Sequence, residues 1–146
     1  MTITIDHTLE INAPKETVWR VISDMPSYGE WNPFVVACES TLQANTPIKM
    51  RVRVLPFIAM PQKETIFEHI PGEKLSYGIN IPFGALHSHR EHVVHESASG
   101  TTTYESHFKL SGWLSPIVKM MLNKRLQQGF DGMSYGVRER ALSLVG

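Results

Sequence analysis

The sequence predicts an α+β fold, in which a curved antiparallel sheet of about seven strands surrounds one long C-terminal helix and two short helices follow the first strand. Three observations support this. Apolar residues alternate with polar ones along most of the chain, which is typical of half-buried strands. Only short turn-like segments separate these stretches, so consecutive strands must run antiparallel. Ser115–Val145 instead shows the period of an amphipathic helix.

The first strand is predicted at Thr2–Ile11, where alternate residues share an apolar face. Asn12 or a neighbour can cap a short helix whose first turn contains Pro14. Residues 24–30 predict a turn or a very short second helix. Trp31–Phe34 ends this helical section, because a residue that precedes proline favours an extended backbone.

From Phe34 onward the period changes to two, which predicts six further strands. Their expected bounds are Phe34–Thr41, Ile48–Val54, Gln62–Ile70, Leu75–Ile81, Leu86–Glu96 and Thr101–Leu110. The segment Leu55–Pro61 is apolar and contains prolines at positions 56 and 61. We expect it to be a loop that acts either as a lid over a cavity or as a contact between two copies of the chain.

The C-terminal helix has one wide apolar stripe. The stripe comprises Val118, Leu122, Leu126, Phe130, Met133, Val137, Ala141 and Leu144. Gly129, Gly132 and Gly136 weaken a helix, so they indicate close backbone packing, a kink, or space for another molecule. A sheet curved around such a helix does not fill its interior, and we therefore expect an apolar cavity.

Composition narrows the class of protein. The 146 residues are enough for one domain, and the 14 basic and 14 acidic side chains cancel, so no global basic field recruits nucleic acid or anionic lipid. A single cysteine, Cys38, excludes an internal disulfide and fits a reducing compartment. No apolar run is long enough to cross a bilayer. We expect a cytoplasmic protein without stable membrane insertion, either a monomer or a homodimer.

Four stretches resemble a known superfamily: Ile11–Trp19, Tyr28–Phe34, Glu68–Leu75 and Phe108–Gly112. They are similar to the SRPBCC superfamily, also called START-like or birch-pollen-allergen-like, in its polyketide cyclase/dehydrase-like branch. The resemblance implies a single helix-grip domain over residues 1–146, a hydrophobic cavity under the long helix, and no cofactor. It does not imply one activity, because the superfamily includes cyclases, lipid carriers and co-chaperone-type domains.

Polar residues are concentrated in one predicted strand. His87, His89, Glu91 and His95 share one face, and two histidines with a carboxylate are possible ligands of zinc or iron. We favour a solvent-facing strand and expect no metal.

The other face of this strand carries Arg90 and His92, which point inward by the family's pattern, as does Tyr104 on the next strand. These three are weak catalytic candidates that could orient a carbonyl or phenolate and supply a proton, or they could satisfy one another. None is assigned as catalytic. An inward Arg90 would need Glu64, Glu68 or a ligand anion.

The ligand-binding residues that we expect lie under the long helix and on the inner face of the sheet. They are Trp31, Met50, Val52, Val54, Ile66, Tyr77, Ile79, Arg90, His92, Tyr104, Phe108, Phe130, Met133 and Val137. We favour binding of a hydrophobic or amphipathic small molecule, lipid-like or polycyclic. A cofactor-independent cyclase/dehydratase and a co-chaperone-like interaction module remain open. Converging polar groups would favour the enzyme, and a filled interior beside an exposed apolar patch would favour the module.

Overall fold

The computed structural model describes residues 2–55 and 57–145, which form one antiparallel sheet of eight strands and two α-helices. The elements in chain order are β1 (Ile3–Ile11), α1 (Lys15–Ser23), β2 (Val35–Ser40), β3 (Pro47–Leu55), β4 (Ile58–Ile70), β5 (Lys74–Gly78), β6 (Asn80–Ile81), β7 (Leu86–Ala98), β8 (Thr101–Ser111) and α2 (Ser115–Val145). Short 3₁₀ turns occupy Met25–Glu30 and Pro82–Gly84. The predicted helix-grip architecture is confirmed.

The sheet has the order β1-β8-β7-β5-β4-β3-β2, and the two-residue strand β6 pairs beside it with β7. The helix α2 packs against β1, β3 and β8, and α1 packs against α2, β7 and β8. The concave face of the sheet is therefore covered by both helices. No helix in the described ranges is long and apolar enough to span a bilayer.

The predicted loop Leu55–Pro61 is wrong, because β3 and β4 form a hairpin in which Leu55 pairs with Ile58. Pro61 lies inside β4, where a proline is normally excluded because it has no N–H group to donate. It is tolerated here because β5 pairs with β4 only from Thr65 onward, which leaves one side of the earlier residues free. The segment that we expected to act as a lid is therefore part of a β-hairpin.

Two smaller expectations also fail. The N-cap of α1 is Pro14 without a side-chain capping bond, so Asn12 is not the cap. The predicted strand Leu75–Ile81 is interrupted after Gly78. A Cβ atom at Gly78 would lie 1.9 Å from the carbonyl oxygen of Ser88, so the close approach of these two backbones requires glycine.

Three glycines of α2 pack against the segment Trp31–Phe34. Their role is therefore close packing of the helix backbone. A Cβ atom at Gly129 would lie 2.3 Å from the ring of Phe34, and Cβ atoms at Gly132 and Gly136 would lie 2.9 Å and 3.0 Å from the proline and tryptophan of the segment. The segment thus determines how closely α2 approaches the start of β2. This contact sets the position of the helix over the sheet.

We expect Gly129→Ala to destabilise the protein by about 1–2 kcal/mol, because overpacking against Phe34 costs up to about 3 kcal/mol and the gain in helix propensity offsets only about 1 kcal/mol of this cost. Urea unfolding measures the change. The control Gln128→Ala, at the neighbouring exposed position of α2, should stay within about 0.5 kcal/mol of wild type. A Gly129→Ala protein as stable as this control would show that the contact with Phe34 does not limit the approach of the helix.

Candidate functional site

A cavity of about 280 Å³ lies between the first half of α2 and the inner face of the sheet. Its wall is mainly aliphatic and aromatic, and strands β2 to β5, β7 and β8 all contribute to it. Five lining side chains are polar: Gln62, Glu64, Tyr77, Ser88 and Arg90. The site is thus an apolar space with a small polar region in its wall.

The structure divides the fourteen residues predicted to bind ligand into two groups. Nine line the cavity: Met50, Val52, Val54, Tyr77, Ile79, Arg90, Phe108, Phe130 and Met133. The other five lie outside its wall: Trp31, Ile66, His92, Tyr104 and Val137. Trp31 packs against Gly136 and Tyr28, and the remaining four are completely buried in the core. They lie outside the cavity because α1 packs against β7 and β8 and fills the other half of the interior.

Several cavity residues were missed by the sequence analysis. Ser88 shares the inner face of β7 with Arg90, and Leu122 belongs to the apolar stripe of α2. Glu64 shares the inner face of β4 with Ile66, and it was considered only as a possible partner for Arg90. The alternation of side chains along β4 and β7, and the helical period of α2, were the signals that would have placed these residues inside.

Arg90 brings a positive charge into the polar region, and its side chain is only 3% exposed. Nη1 donates to Ser106 Oγ at 2.7 Å and to the carbonyl oxygen of His107 at 3.2 Å, and Nη2 contacts the sulfur of Met133 at 3.5 Å. The guanidinium carbon lies 4.9 Å from the centre of the Phe130 ring. Within residues 2–55 and 57–145, Nε has no hydrogen-bond partner and no carboxylate forms an ion pair with the guanidinium.

A chain of hydrogen bonds runs from Arg90 towards a surface carboxylate. Ser134 Oγ on α2 donates to Ser106 Oγ at 2.8 Å and lies 3.4 Å from His7 Nδ1. His7 Nε2 lies 2.6 Å from a carboxylate oxygen of Asp131. The chain holds Ser106 in place as an acceptor for Arg90, but Asp131 is too remote to neutralise the guanidinium directly.

The carboxyl group of Glu64 faces the same cavity and is half-buried. Burial raises its pKa, and a hydrogen bond from Gln62 and the positive charge of Arg90 oppose this shift without cancelling it. Glu68, by contrast, lies outside and forms an ion pair with Lys74 at 2.9 Å. A β-bulge between Ile66 and Glu68 accounts for their opposite orientations.

His92 forms a buried cluster with two tyrosines behind the cavity. Its Nδ1 lies 2.7 Å from the hydroxyl of Tyr104, and its Nε2 lies 3.3 Å from the hydroxyl of Tyr77. Burial holds the pKa of His92 well below its usual value and raises the pKa of both tyrosines. The three groups are therefore neutral partners of one another, and only Tyr77 reaches the cavity wall.

The histidines on the outer face of β7 do not converge. His89 Nε2 lies 3.5 Å from Glu91, whereas His95 Nε2 lies 2.9 Å from Glu105. The rings of His87 and His89 both stack on Phe67. Across the described residues, no group of three His, Cys, Asp or Glu side chains has a metal-binding arrangement.

The chain is similar to known proteins in sequence and in fold. The model of the family described as "Polyketide cyclase / dehydrase and lipid transport" matches residues 2–137. No curated protein sequence matches the chain significantly.

Solved structures with the same fold cover almost the entire chain. The ZhuI aromatase/cyclase from Streptomyces sp. R1128 has a TM-score of 0.78 at 15% identity, with 100% of this chain and 97% of that chain covered. A START superfamily protein from Mycobacterium smegmatis has a TM-score of 0.74 at 15% identity and coverage of 97% and 98%. Norcoclaurine synthase from Thalictrum flavum, in complex with dopamine and hydroxybenzaldehyde, has a TM-score of 0.71 at 15% identity and coverage of 98% and 88%. At this identity the likeness shows a shared fold.

The buried cluster predicts a pH dependence of stability. The pKa of His92 in the folded protein lies below its unfolded value of about 6.5, so the stability gained from neutral His92 is present above that pH and is lost as pH falls. In urea unfolding, the free-energy advantage of wild type over His92→Gln should shrink by up to about 1.4 kcal/mol per pH unit below pH ~6.5. His87→Gln on the exposed outer face is the control. An advantage that stays constant with pH would contradict a neutral buried imidazole.

Proposed function

Because the chain belongs to the polyketide cyclase/dehydrase and lipid transport family, we propose that it binds an apolar or amphipathic small molecule in the cavity between α2 and the sheet. The proposal takes residues 1–146 as a single cytoplasmic domain. The apolar wall supports it, since such a wall favours lipid-like or polycyclic ligands. Among the proteins of the same fold, one is an aromatase/cyclase and another forms a complex with dopamine and hydroxybenzaldehyde, which are small aromatic molecules.

Arg90 makes the proposal more specific, because it favours a ligand that has an anionic group or a strong hydrogen-bond acceptor. A buried charge is costly unless it is paired, and within the described ranges Arg90 has neutral partners and an unused Nε–H. A carboxylate, phenolate or enolate next to the guanidinium would supply the missing negative charge. The ring of Phe130 would contact the apolar body of the same ligand.

A cyclase-type enzyme is the second candidate, and Glu64 is the observation that favours it. The cavity holds a carboxyl group of raised pKa together with a guanidinium that forms no ion pair with the carboxylates of residues 2–55 and 57–145. Glu64 could accept a proton from a carbon next to a carbonyl, while Arg90 stabilises the resulting enolate. Our earlier candidates His92 and Tyr104 are separated from the cavity, so this chemistry would not use them.

The co-chaperone-like alternative depended on a filled interior, and the cavity argues against it.

Two fluorescent probes test the binding proposal. N-Phenyl-1-naphthylamine is neutral, and 8-anilinonaphthalene-1-sulfonate has the same aromatic skeleton with an added sulfonate. We expect Arg90→Met to weaken the binding of the sulfonate probe by tenfold or more, since a charge-assisted hydrogen bond contributes about 1.5–3 kcal/mol. The affinity for the neutral probe should change by no more than about twofold. Equal effects on both probes would contradict a role for Arg90 in recognising an anionic group.

A second pair of variants locates the probes. Leu122 lines the cavity, whereas Leu144 is 40% exposed at the far end of α2. Leu122→Trp should fill the cavity and abolish fluorescence enhancement with both probes, and Leu144→Trp should bind like wild type. Circular dichroism and thermal melting check that both variants are folded. Undiminished binding by a folded Leu122→Trp would place the probes elsewhere.

The enzymatic candidate predicts proton exchange. In D₂O, NMR of 2-tetralone should show faster loss of the protons next to its carbonyl when wild-type protein is present. Glu64→Gln should remove this acceleration, because proton transfer needs the carboxylate. The same variant should still bind the neutral probe, because that binding does not need the carboxylate. If wild-type protein does not accelerate the exchange, the enzymatic candidate is contradicted and ligand binding is the only proposed function that is left.

A further inference from the structure

The end of the molecule where α2 begins carries unusually exposed apolar side chains. We call six of them the rim: Phe57, Phe83, Trp113, Ile117, Met120 and Met121. Phe57 and Phe83 are 95% and 96% exposed, and Met120 is 80% exposed. They lie on three turns, at Phe57, Phe83 and Trp113, and on the first two turns of α2.

Strand pairing brings these segments together around the cavity. Ile81 pairs with Leu86 and His87 with Ser111, so the turn that contains Phe83 lies next to the end of β8, from which α2 starts. The indole Nε1–H of Trp113 donates to the carbonyl oxygen of Phe83 at 3.0 Å.

The hairpin tip with Phe57 lies at the same end, because β4 extends from there past the last residue of β5. Val54, Ile79, Leu86 and Val118 are sequence neighbours of the rim, and they line the cavity. The rim therefore borders one end of the cavity.

Charge is distributed very unevenly along the chain, although its sum is zero. Residues 47–63, 79–90 and 106–130 contain four, one and four of the 14 lysines and arginines, and none of the 14 acidic residues. The nearest carboxylates beyond these ranges include Glu64 inside the cavity, Glu91 paired with Lys74, Glu105 paired with His95, and Asp131 paired with His7. The rim thus lies in the basic part of a strongly polarised molecule.

The basic side chains near the rim are free to meet a partner. Arg53, Lys119, Lys124 and Arg125 are exposed, and none of them forms an ion pair with a carboxylate of residues 2–55 or 57–145. Arg53 and Arg125 line the same shallow groove beside Leu55. The sequence analysis predicted no recruitment to anionic lipid from the zero net charge, but the uneven distribution of charge removes the basis for that expectation.

We propose that the rim docks on the surface of a membrane that contains anionic lipids. Exposed aromatic and methionine side chains on turns and at the start of a helix suit insertion among lipid headgroups, and lysines and arginines around them are attracted to an anionic leaflet. In this orientation the end of the cavity bordered by the rim faces the bilayer, so an apolar ligand can pass between them without crossing water. The docking itself does not depend on the identity of the ligand.

Vesicle flotation tests the proposal on the complete protein. We expect it to float with vesicles of phosphatidylcholine that contain about 30% phosphatidylserine, and to float much less with phosphatidylcholine alone. Raising the salt concentration should reduce the bound fraction, because it screens the attraction between charges. No flotation with the anionic vesicles would overturn the proposal.

Matched variants separate the rim from the rest of the surface. Met120→Asp should lower vesicle partitioning tenfold or more, whereas Val145→Asp, an equally drastic change at an exposed site at the other end of α2, should not lower it.

The double variant Lys119→Gln/Lys124→Gln should lower partitioning by about tenfold or more, since each basic residue near an anionic leaflet contributes roughly fivefold. The double variant Lys15→Gln/Arg20→Gln on α1 removes the same charge and should bind like wild type.

Two results would assign the rim to another partner and overturn membrane docking. One is equal loss of vesicle binding in Met120→Asp and Val145→Asp. The other is a concentration-dependent dimer, seen by analytical ultracentrifugation, that Phe57→Asp abolishes while wild-type protein ignores anionic vesicles. Probe binding in the cavity should remain normal in every rim variant, so failure of docking is distinguishable from failure of the cavity proposal.

Discussion

The buried guanidinium of Arg90 is the interaction on which the site depends. Its bonds to Ser106, the carbonyl oxygen of His107 and Met133 join β7 and β8 to α2, and Phe130 covers its face. These partners are neutral, so they orient the charge without neutralising it. Under the proposed function, this guanidinium is a polar anchor for one end of a ligand, and the apolar lining of the cavity is a wall for the remainder.

The cavity exists because the interior is filled unequally. At one end, α1 packs on β7 and β8, and a completely buried core that includes His92 and Tyr104 occupies the space beneath α2. Contact between the glycines of α2 and Trp31–Phe34 holds the helix close to the sheet near the middle. Beyond this contact no short helix fills the interior, and the first half of α2 covers an open space. The same end carries the rim, so binding and the proposed docking share one part of the molecule.

Much of the fold could be predicted from local patterns. Alternation placed Arg90 and His92 on one face of their strand, and the family resemblance indicated that this face points inward, as does Tyr104 on the next strand. The helical period gave the bounds of α2 as the structure has them. Alternation could not tell which inward residues face open space, because that depends on where α1 packs. It also misjudged the segment Leu55–Pro61, since the exposed edge that tolerates Pro61 inside β4 results from the unequal lengths of β4 and β5.

Methyl NMR of the methionines would test the central claim most directly. Met50 and Met133 line the cavity, Met25 is buried in the core, and Met60, Met120 and Met121 are exposed. When N-phenyl-1-naphthylamine is added to protein with ¹³C-labelled methionine methyl groups, ligand binding beside Arg90 should shift the signals of Met50 and Met133 and leave that of Met25 in place. Shifts confined to the exposed methionines would contradict a binding cavity under α2.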